Sequence, residues 1–398
     1  MKNLLVQSLL LILSYIIPKK KNLIIFGAGD AKQFQGNPKY IYQFLRSNPY
    51  KTISYFWSAK SKKQQDFLKK INAPFIDPYT LSGFFKILRA QYMVIEKSTF
   101  DVYYTKMIFG RFNFIQTWHG TPLKHIGIDK DNSASGPAVL TDKNNSGYKF
   151  LKRIKFFTRQ KFKLITAPSE EIKTLFQNVF ENRNVAVTGY ARNDVIFNPA
   201  LAVSDYGRIL NLKAYAKTIL FAPTFRDDTD TLSPLSDSLM EFNRDLKQKN
   251  YLFLVKKHPW QKNFHIPENL SHIIDVSGEI DDIQELYPHV DILINDYSSA
   301  FFDFMLSKKP VIFYPYDLEN YLENCRGMYL DYYKDLPGPF AQNEPELFSL
   351  IFSVEEWQND TAYQARYDHL LRRYNLYIDG HSSERVLKLL FPDSEVFR

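Results

Sequence analysis

Short apolar runs alternate along this chain with longer amphipathic segments, and that alternation limits the fold more than any other feature. Residues 22–26 (NLIIF), 52–59 (TISYFWSA), 74–76, 91–96 and 111–116 (RFNFIQ) read as strands of a first half. Residues 217–221 (KTILF), 251–255 (YLFLV), 271–277 (SHIIDVS), 290–295 (VDILIN) and 311–315 (VIFYP) read as strands of a second. Helical patterns stand between them and after them, at residues 38–45, 344–352 and 382–391, the last opened by serines with a glutamate in its first turn. Strands alternating with helices imply βαβ units and a mostly parallel sheet. No repeat of 20–50 residues is present. The economical architecture is α/β: two doubly wound, Rossmann-like domains facing across a cleft, residues 21–200 and 201–398, with an apolar helix in residues 1–20.

That helix is ambiguous. Residues 4–17 (LLVQSLLLILSYII) are almost wholly apolar, and Pro18 and Lys19-Lys20-Lys21 follow. Fourteen residues fall short of the ~20 needed to span a bilayer. The segment fits a helix buried on the first domain, and it fits an interfacial helix whose lysines face anionic headgroups. Lys plus Arg number 51 against 43 acidic residues, a formal charge of +8, which suits phosphorylated substrates, anionic membranes or nucleic acid without choosing among them. Cys325 is the only cysteine, so no disulfide framework forms within one chain. Residues 129–149 are polar and rich in Asn, Ser and Gly, the composition of a mobile loop or lid. Residues 152–163 (KRIKFFTRQKFK) read as a solvated basic helix face or as a contact for an anionic surface.

Open α/β sheets collect ligands at the carboxyl ends of their strands. Four such ends carry chemistry here. Trp118-His119-Gly120-Thr121-Pro122-Leu123-Lys124 follows the fifth strand-like run. An imidazole there is suited to deprotonating an alcohol, although a lone histidine is more often structural. His125 is a weaker candidate. Thr224-Phe225-Arg226-Asp227 offers a guanidinium fork for phosphate, or a salt bridge with Asp227 or Asp228. Lys256-Lys257-His258-Pro259 puts three cationic groups at one strand end, costly without partners and sensible beside a pyrophosphate. Asp296-Tyr297-Ser298-Ser299 ends a buried strand; either serine caps the next helix, whose free N–H groups also suit a phosphate. Asp303, one turn further, is placed to accept from a ribose or polyol. Arg192, in Gly189-Tyr190-Ala191-Arg192-Asn193-Asp194, reaches a ligand or pairs with Asp194. Gly27-Ala28-Gly29 lacks the third glycine of a dinucleotide turn, no P-loop occurs, and no ligand spacing argues for zinc. Asp227-Asp228 and Asp281-Asp282 are read as capping or solvated pairs rather than Mg²⁺ ligands.

Taken in order, QTWHGTPLK, TGYARND, FAPTFRD, KKHP, INDYSSAFFDF, KPVIFYPYDLENY and RGMYLDYYKDLPGP resemble the CDP-glycerol glycerophosphotransferase family of teichoic-acid and capsule polymer synthesis, over about residues 90–345. The resemblance implies a GT-B-like architecture and a CDP-glycerol or CDP-ribitol donor. It implies a lipid-linked or oligosaccharide acceptor, and a peripheral place on the cytoplasmic face of the cell membrane. It implies no cofactor, no metal and no nucleic acid. His119, Gly120, Thr121, Pro122 and Leu123 would line the reacting phosphorus. Arg192, Thr224, Phe225, Arg226, Lys256, Lys257, His258, Ser298, Ser299 and Asp303 would hold the donor. His119 would take the acceptor proton and His258 would offset developing charge. Two other readings remain at this point: a sugar-nucleotide glycosyltransferase on the same fold, and a non-enzymatic module that binds polyanions.

Overall fold

The computed structural model describes residues 2–48, 50, 52–104, 111–127, 162–224, 235, 238–257, 266–267, 269–324 and 327–392. They form two compact units: residues 1–119, 127–194 and 379–398, and residues 120–126 and 195–378.

The first unit holds β1 (Lys20–Phe26), β2 (Ser54–Ser58), β3 (Phe75–Ile76), β4 (Ala90–Ile95), β5 (Phe114–Gln116), β6 (Leu164–Ala167) and β7 (Val185–Val187). The sheet order is β3-β2-β1-β4-β5-β6-β7, and every neighbouring pair is parallel. The order reverses between β1 and β4, which makes the sheet doubly wound. Ile24, Ile25, Phe26, Val94 and Ile95 are fully buried, as strands covered on both faces require. The strands β6 and β7, four and three residues long, were not read from the sequence.

The crevice at the β1/β4 switch is filled by the protein itself. The Asp101 carboxylate accepts N–H groups of Asp30 (2.9 Å), Glu96 (3.1 Å), Lys97 (2.7 Å) and Ser98 (3.1 Å). Burial pushes its pKa up against those four bonds. A Cβ on Gly27 would lie 1.9 Å from the Asp101 carbonyl oxygen, so only glycine fits there.

Helix α1 (Lys2–Ile16) buries Leu10 and Ser14 and contacts α4 (Leu81–Arg89), leaving Leu9, Ile12, Tyr15 and Ile16 exposed. One stripe of this segment packs and the other stays bare. The expected cluster of three outward lysines does not form. Lys19 turns inward, donating to the Leu88 carbonyl at 2.7 Å with its ammonium 4.2 Å over the Phe112 ring. Lys20 and Lys21 remain exposed.

The second unit holds β8 (Lys217–Phe221), β9 (Tyr251–Val255), β10 (Ile273–Asp275), β11 (Ile292–Asn295) and β12 (Val311–Phe313) in the parallel order β10-β9-β8-β11-β12. Its switch point lies between β8 and β11. The helix expected after Ser298-Ser299 is short: Ala300–Phe304, then a 3-10 turn over Met305–Ser307.

The last helix, Ser382–Leu390, packs with the first unit. Serine does not cap it. The buried Asp194 carboxylate accepts the N–H groups of Ser382 (2.9 Å) and Ser383 (2.7 Å) from far along the chain, and Tyr92 Oη donates to the Leu390 carbonyl at 3.0 Å.

Candidate active site

The candidate residues of the first unit lie where β5 ends. Trp118 has φ +54°, a left-handed conformation that a bulky side chain takes only under constraint. The constraint comes from both sides. Asn37, in the first turn of α2 (Gly36–Ser47), donates Nδ2 to the carbonyls of Thr117 (3.0 Å) and Trp118 (2.8 Å). The Trp118 N–H donates to Gln116 Oε1 at 3.0 Å, and the indole packs edge-on against Phe176 and Phe180. Arg192 completes the frame. Its backbone N–H donates to Asn37 Oδ1 (3.0 Å) and its Nη1 donates to the His119 carbonyl (2.7 Å). The His119 side chain is exposed on this fixed backbone, its ring 4.3 Å from the indole. Arg192 thus reaches His119, while the Asp194 carboxylate binds Ser382 and Ser383.

The chain passes from one unit to the other between His119 and Gly120. In the second unit, residues 120–126 are stitched to residues 327–329. Leu123 O accepts the Tyr329 N–H at 2.9 Å, and the His125 N–H donates to Gly327 O at 3.1 Å. The His125 ring packs on Tyr329 and fills the space over Gly327, a structural place. Gly120, Thr121, Pro122 and Leu123 are buried, and Thr121 Oγ1 finds no hydrogen-bond partner among the described residues.

The β8/β11 switch point is built around Asp296. Thr224 donates its N–H to Asp296 Oδ2 (2.7 Å) and its hydroxyl to Oδ1 (2.6 Å). Asn295 Nδ2 ties the carbonyls of Asp296 and Ser298, each at 3.1 Å. Tyr297 stacks on Tyr321 at 3.9 Å and donates to Asp317 at 2.9 Å; burial, with Asp317 beside it, pushes its pKa far up and keeps the phenol protonated. The result is a rigid floor with the Ser298 and Ser299 hydroxyls partly exposed above it.

The model of the CDP-Glycerol:Poly(glycerophosphate) glycerophosphotransferase family matches residues 9–392. The chain belongs to this glycerophosphotransferase family. It is 31% identical to a teichoic acid glycerol-phosphate transferase of Staphylococcus aureus (strain NCTC 8325 / PS 47), over 93% of each chain. It is 29% identical to a teichoic acid poly(glycerol phosphate) polymerase of Bacillus subtilis (strain 168), covering 94% of this chain but 49% of that protein. The solved wall teichoic acid polymerase TagF superposes with a TM-score of 0.75 at 24% identity, over 98% of this chain and 95% of that one. A TagF variant soaked with CDPG superposes with a TM-score of 0.74 at 25% identity, over the same shares.

The remaining residues implied by the glycerophosphotransferase motifs fare differently. Lys257 has the partner that the sequence did not show. Its ammonium lies 2.6 Å from Asp275 Oδ2 on β10. Burial alone would raise the Asp275 pKa, but hydrogen bonds from Lys257 and Ser277 hold it below the ordinary carboxylate range. Lys256 is half-buried, with Nζ 3.5 Å from Ser277 O; burial lowers its pKa against the pull of Asp281, Asp275 and Asp282. Ser298 Oγ accepts the Ala300 N–H at 3.2 Å, so the cap and a ligand would share that hydroxyl. Asp303 is 1% exposed and accepts from Gln284 Nε2 at 3.1 Å, so a ligand hydroxyl would meet an occupied carboxylate. Phe225, Arg226, His258, Asp227, Asp228, residues 129–149 and most of the basic segment 152–163 lie outside the described residues. Sequence reading missed Asn37 and Asp296 as site residues. Asp296 stood inside the DYSS motif and could have been found there; Asn37 acts across eighty residues and leaves no local signal.

Proposed function

We propose that this protein transfers an alditol phosphate, glycerol phosphate first among them, from a CDP-alditol to a hydroxyl of a lipid-linked or saccharide acceptor in teichoic-acid or capsule polymer synthesis. The two units serve as the acceptor and donor lobes of a GT-B-like transferase. The observation that carries the reading is the exposed imidazole of His119, on a backbone fixed by Asn37 and Arg192 in a chain whose relatives are teichoic acid glycerol-phosphate and ribitol-phosphate enzymes.

In this mechanism His119 accepts the proton of the acceptor hydroxyl. The freed oxygen bonds to the β-phosphorus, the bond from that phosphorus to the bridging oxygen breaks, and CMP leaves with the bridging oxygen. Phosphoryl transfer asks chiefly for positioning and charge stabilisation. Lys256, Lys257, Arg226, His258 and the Ser298 and Ser299 hydroxyls supply the second, and Thr224 and Asp296 hold their floor. The experiment is release of nucleotide from CDP-glycerol, CDP-ribitol and a panel of sugar nucleotides, with mass spectrometry of the acceptor product. Growth of the acceptor by alditol-phosphate units supports the reading. Turnover of sugar nucleotides alone replaces it with glycosyl transfer, and polyanion binding without any turnover leaves a binding module.

The membrane-associated acceptor has its own support. Among the described residues no helix is long and apolar enough to cross a membrane. The bare stripe of α1 (Ile12 56% and Ile16 69% exposed) adjoins α4, whose Leu81 and Phe85 are also exposed. Such a stripe lies in the headgroup boundary of a bilayer. Replacing Ile12 and Ile16 by aspartate is expected to release the protein from anionic vesicles in sedimentation while leaving turnover of a water-soluble acceptor intact.

A further inference from the structure

A cavity of about 620 Å³ opens at the opposite end of the second unit's sheet from Thr224 and Ser298. It lies between the segment that leads into β8 and the turn that leads into β11, so it faces the amino ends of the parallel strands. Pro199, Ala202 and Val203 give it an apolar wall; Arg208, Lys213 and His289 give it its basic groups, with Asp205 the one carboxylate in the lining. Among the described residues neither the Arg208 nor the Lys213 side chain has an ion-pair partner. The acids near them are committed elsewhere. Glu285 is buried and accepts the N–H groups of Val203 (2.6 Å) and Ser204 (3.3 Å). Asp205, exposed at the rim, accepts the Arg208 N–H at 3.1 Å. Lys309, on the far side of His289, lies 3.5 Å from Asp291 and donates to the Val290 carbonyl. The His289 ring is pressed against backbone: a Cβ on Gly207 would fall 2.6 Å from its Cε1 and Nδ1. Two cations without an ion-pair partner among the described residues, and an imidazole, outnumber the one carboxylate of this concave wall, Asp205.

We propose that this cavity binds a phosphodiester segment of the poly(alditol phosphate) chain, away from the site of transfer. The identity of the chain rests on the transfer reading above; the anion site does not. An elongated ligand with a phosphate at each repeat and short polyol spacers can set its phosphate against Arg208 and Lys213 and its spacer against Pro199, Ala202 and Val203. A concave pocket of this volume is suited to a small guest that enters it rather than to a flat headgroup layer. The electrostatics agree: burial first, then Lys309 and Lys213, hold the His289 pKa below its ordinary value, against Asp205. An anion between Arg208 and Lys213 reverses the sign of that field and raises the pKa.

The test uses the full chain, a short synthetic glycerol-phosphate oligomer, inorganic phosphate, and phosphatidylglycerol vesicles. His289 ring resonances are assigned by their loss in H289Q. The oligomer is expected to shift those resonances and raise the titration midpoint. The double variant Arg208→Ala, Lys213→Ala removes two exposed side chains and should bind the oligomer about tenfold more weakly at low salt, with a smaller salt dependence. It should leave nucleotide release with a short soluble acceptor unchanged. Gly207→Ala, which displaces the ring, should abolish the shift. The assignment is overturned if the oligomer leaves His289 unmoved, if the double variant binds it as wild type does, or if phosphate alone binds as tightly. Loss of vesicle binding with oligomer binding retained overturns it in favour of a lipid surface. Failure of alditol-phosphate transfer with oligomer binding intact sinks the functional reading and leaves the cavity assigned.

Discussion

Asn37 makes three hydrogen bonds at once: two donated, to the carbonyls of Thr117 and Trp118, and one accepted, from the Arg192 N–H. Aspartate keeps the size and the acceptor but sets a carboxylate against two carbonyl oxygens. N37D should therefore free the left-handed turn at Trp118 and misplace His119. Misplacing a catalytic group by an ångström costs about 10²-fold, so kcat should fall by that order while the KM for the donor stays within a few-fold, as steady-state CMP release will show. His119→Ala removes the proposed base, with an expected loss of roughly 10²–10⁴-fold. Calorimetry should still detect CDP-glycerol binding, and near-normal turnover in that variant would falsify the base assignment. The sequence made His119 legible because its turn chemistry is local: Gly120, Thr121 and Pro122 follow it directly. It hid the ligature because Asn37, Arg192 and Asp296 act through partners scores of residues away, and it did not show the ion pair of Lys257, because Asp275 belongs to a neighbouring strand.

Elements were legible in proportion to their length and apolarity. β1, β4, β8, β9 and β11 are runs of buried aliphatics that no helix period fits, and each appears where its residues place it. β5, β10 and β12 are no longer than LITA and VAV but sit inside longer readable runs (RFNFIQ, SHIIDVS, VIFYP), so they were found while β6 and β7 escaped. The closing helix Ser382–Leu390 was legible as a helix, but its docking was not, because its cap is Asp194. That contact has a measurable weight. Asp194→Ala leaves two N–H groups at the helix start without their acceptor, at a cost of about 1–2 kcal/mol for a lost cap. The urea midpoint should drop accordingly, and limited proteolysis should cut first within residues 379–390. Asp194→Asn, which keeps one acceptor oxygen, should recover part of the loss. Equal midpoints for Asp194→Ala and wild type would mean that the helix is held by its apolar face, Val386, Leu387 and Leu390, alone.

At the scale of the whole molecule, two parallel sheets follow from alternation alone, because parallel strands need a crossover and a crossover helix covers the sheet. Charge does not follow so simply. Nothing in the sequence marks Lys19 or Lys60, both in the first unit, for burial, yet burial lowers each pKa to about 8. For Lys19 the nearby Arg111 adds to the effect of burial. For Lys60, Asp30 and Asp101 resist it and Lys32 adds to it, while Nζ donates to the carbonyls of Asp30 (2.9 Å) and Phe100 (2.5 Å). An unfolded chain returns both lysines to the ordinary value near 10.5. Between those limits the unfolded state binds more protons than the folded one, so stability rises with pH across the window. Below the folded pKa both states are protonated and the slope vanishes. Lys19→Met and Lys60→Met each delete one ionisable group. The difference in urea midpoint between wild type and either variant should therefore move in favour of wild type from pH 7.5 to pH 9.5. A difference that stays constant across that range would place both ammonium groups in water rather than against the carbonyls of Leu88, Asp30 and Phe100.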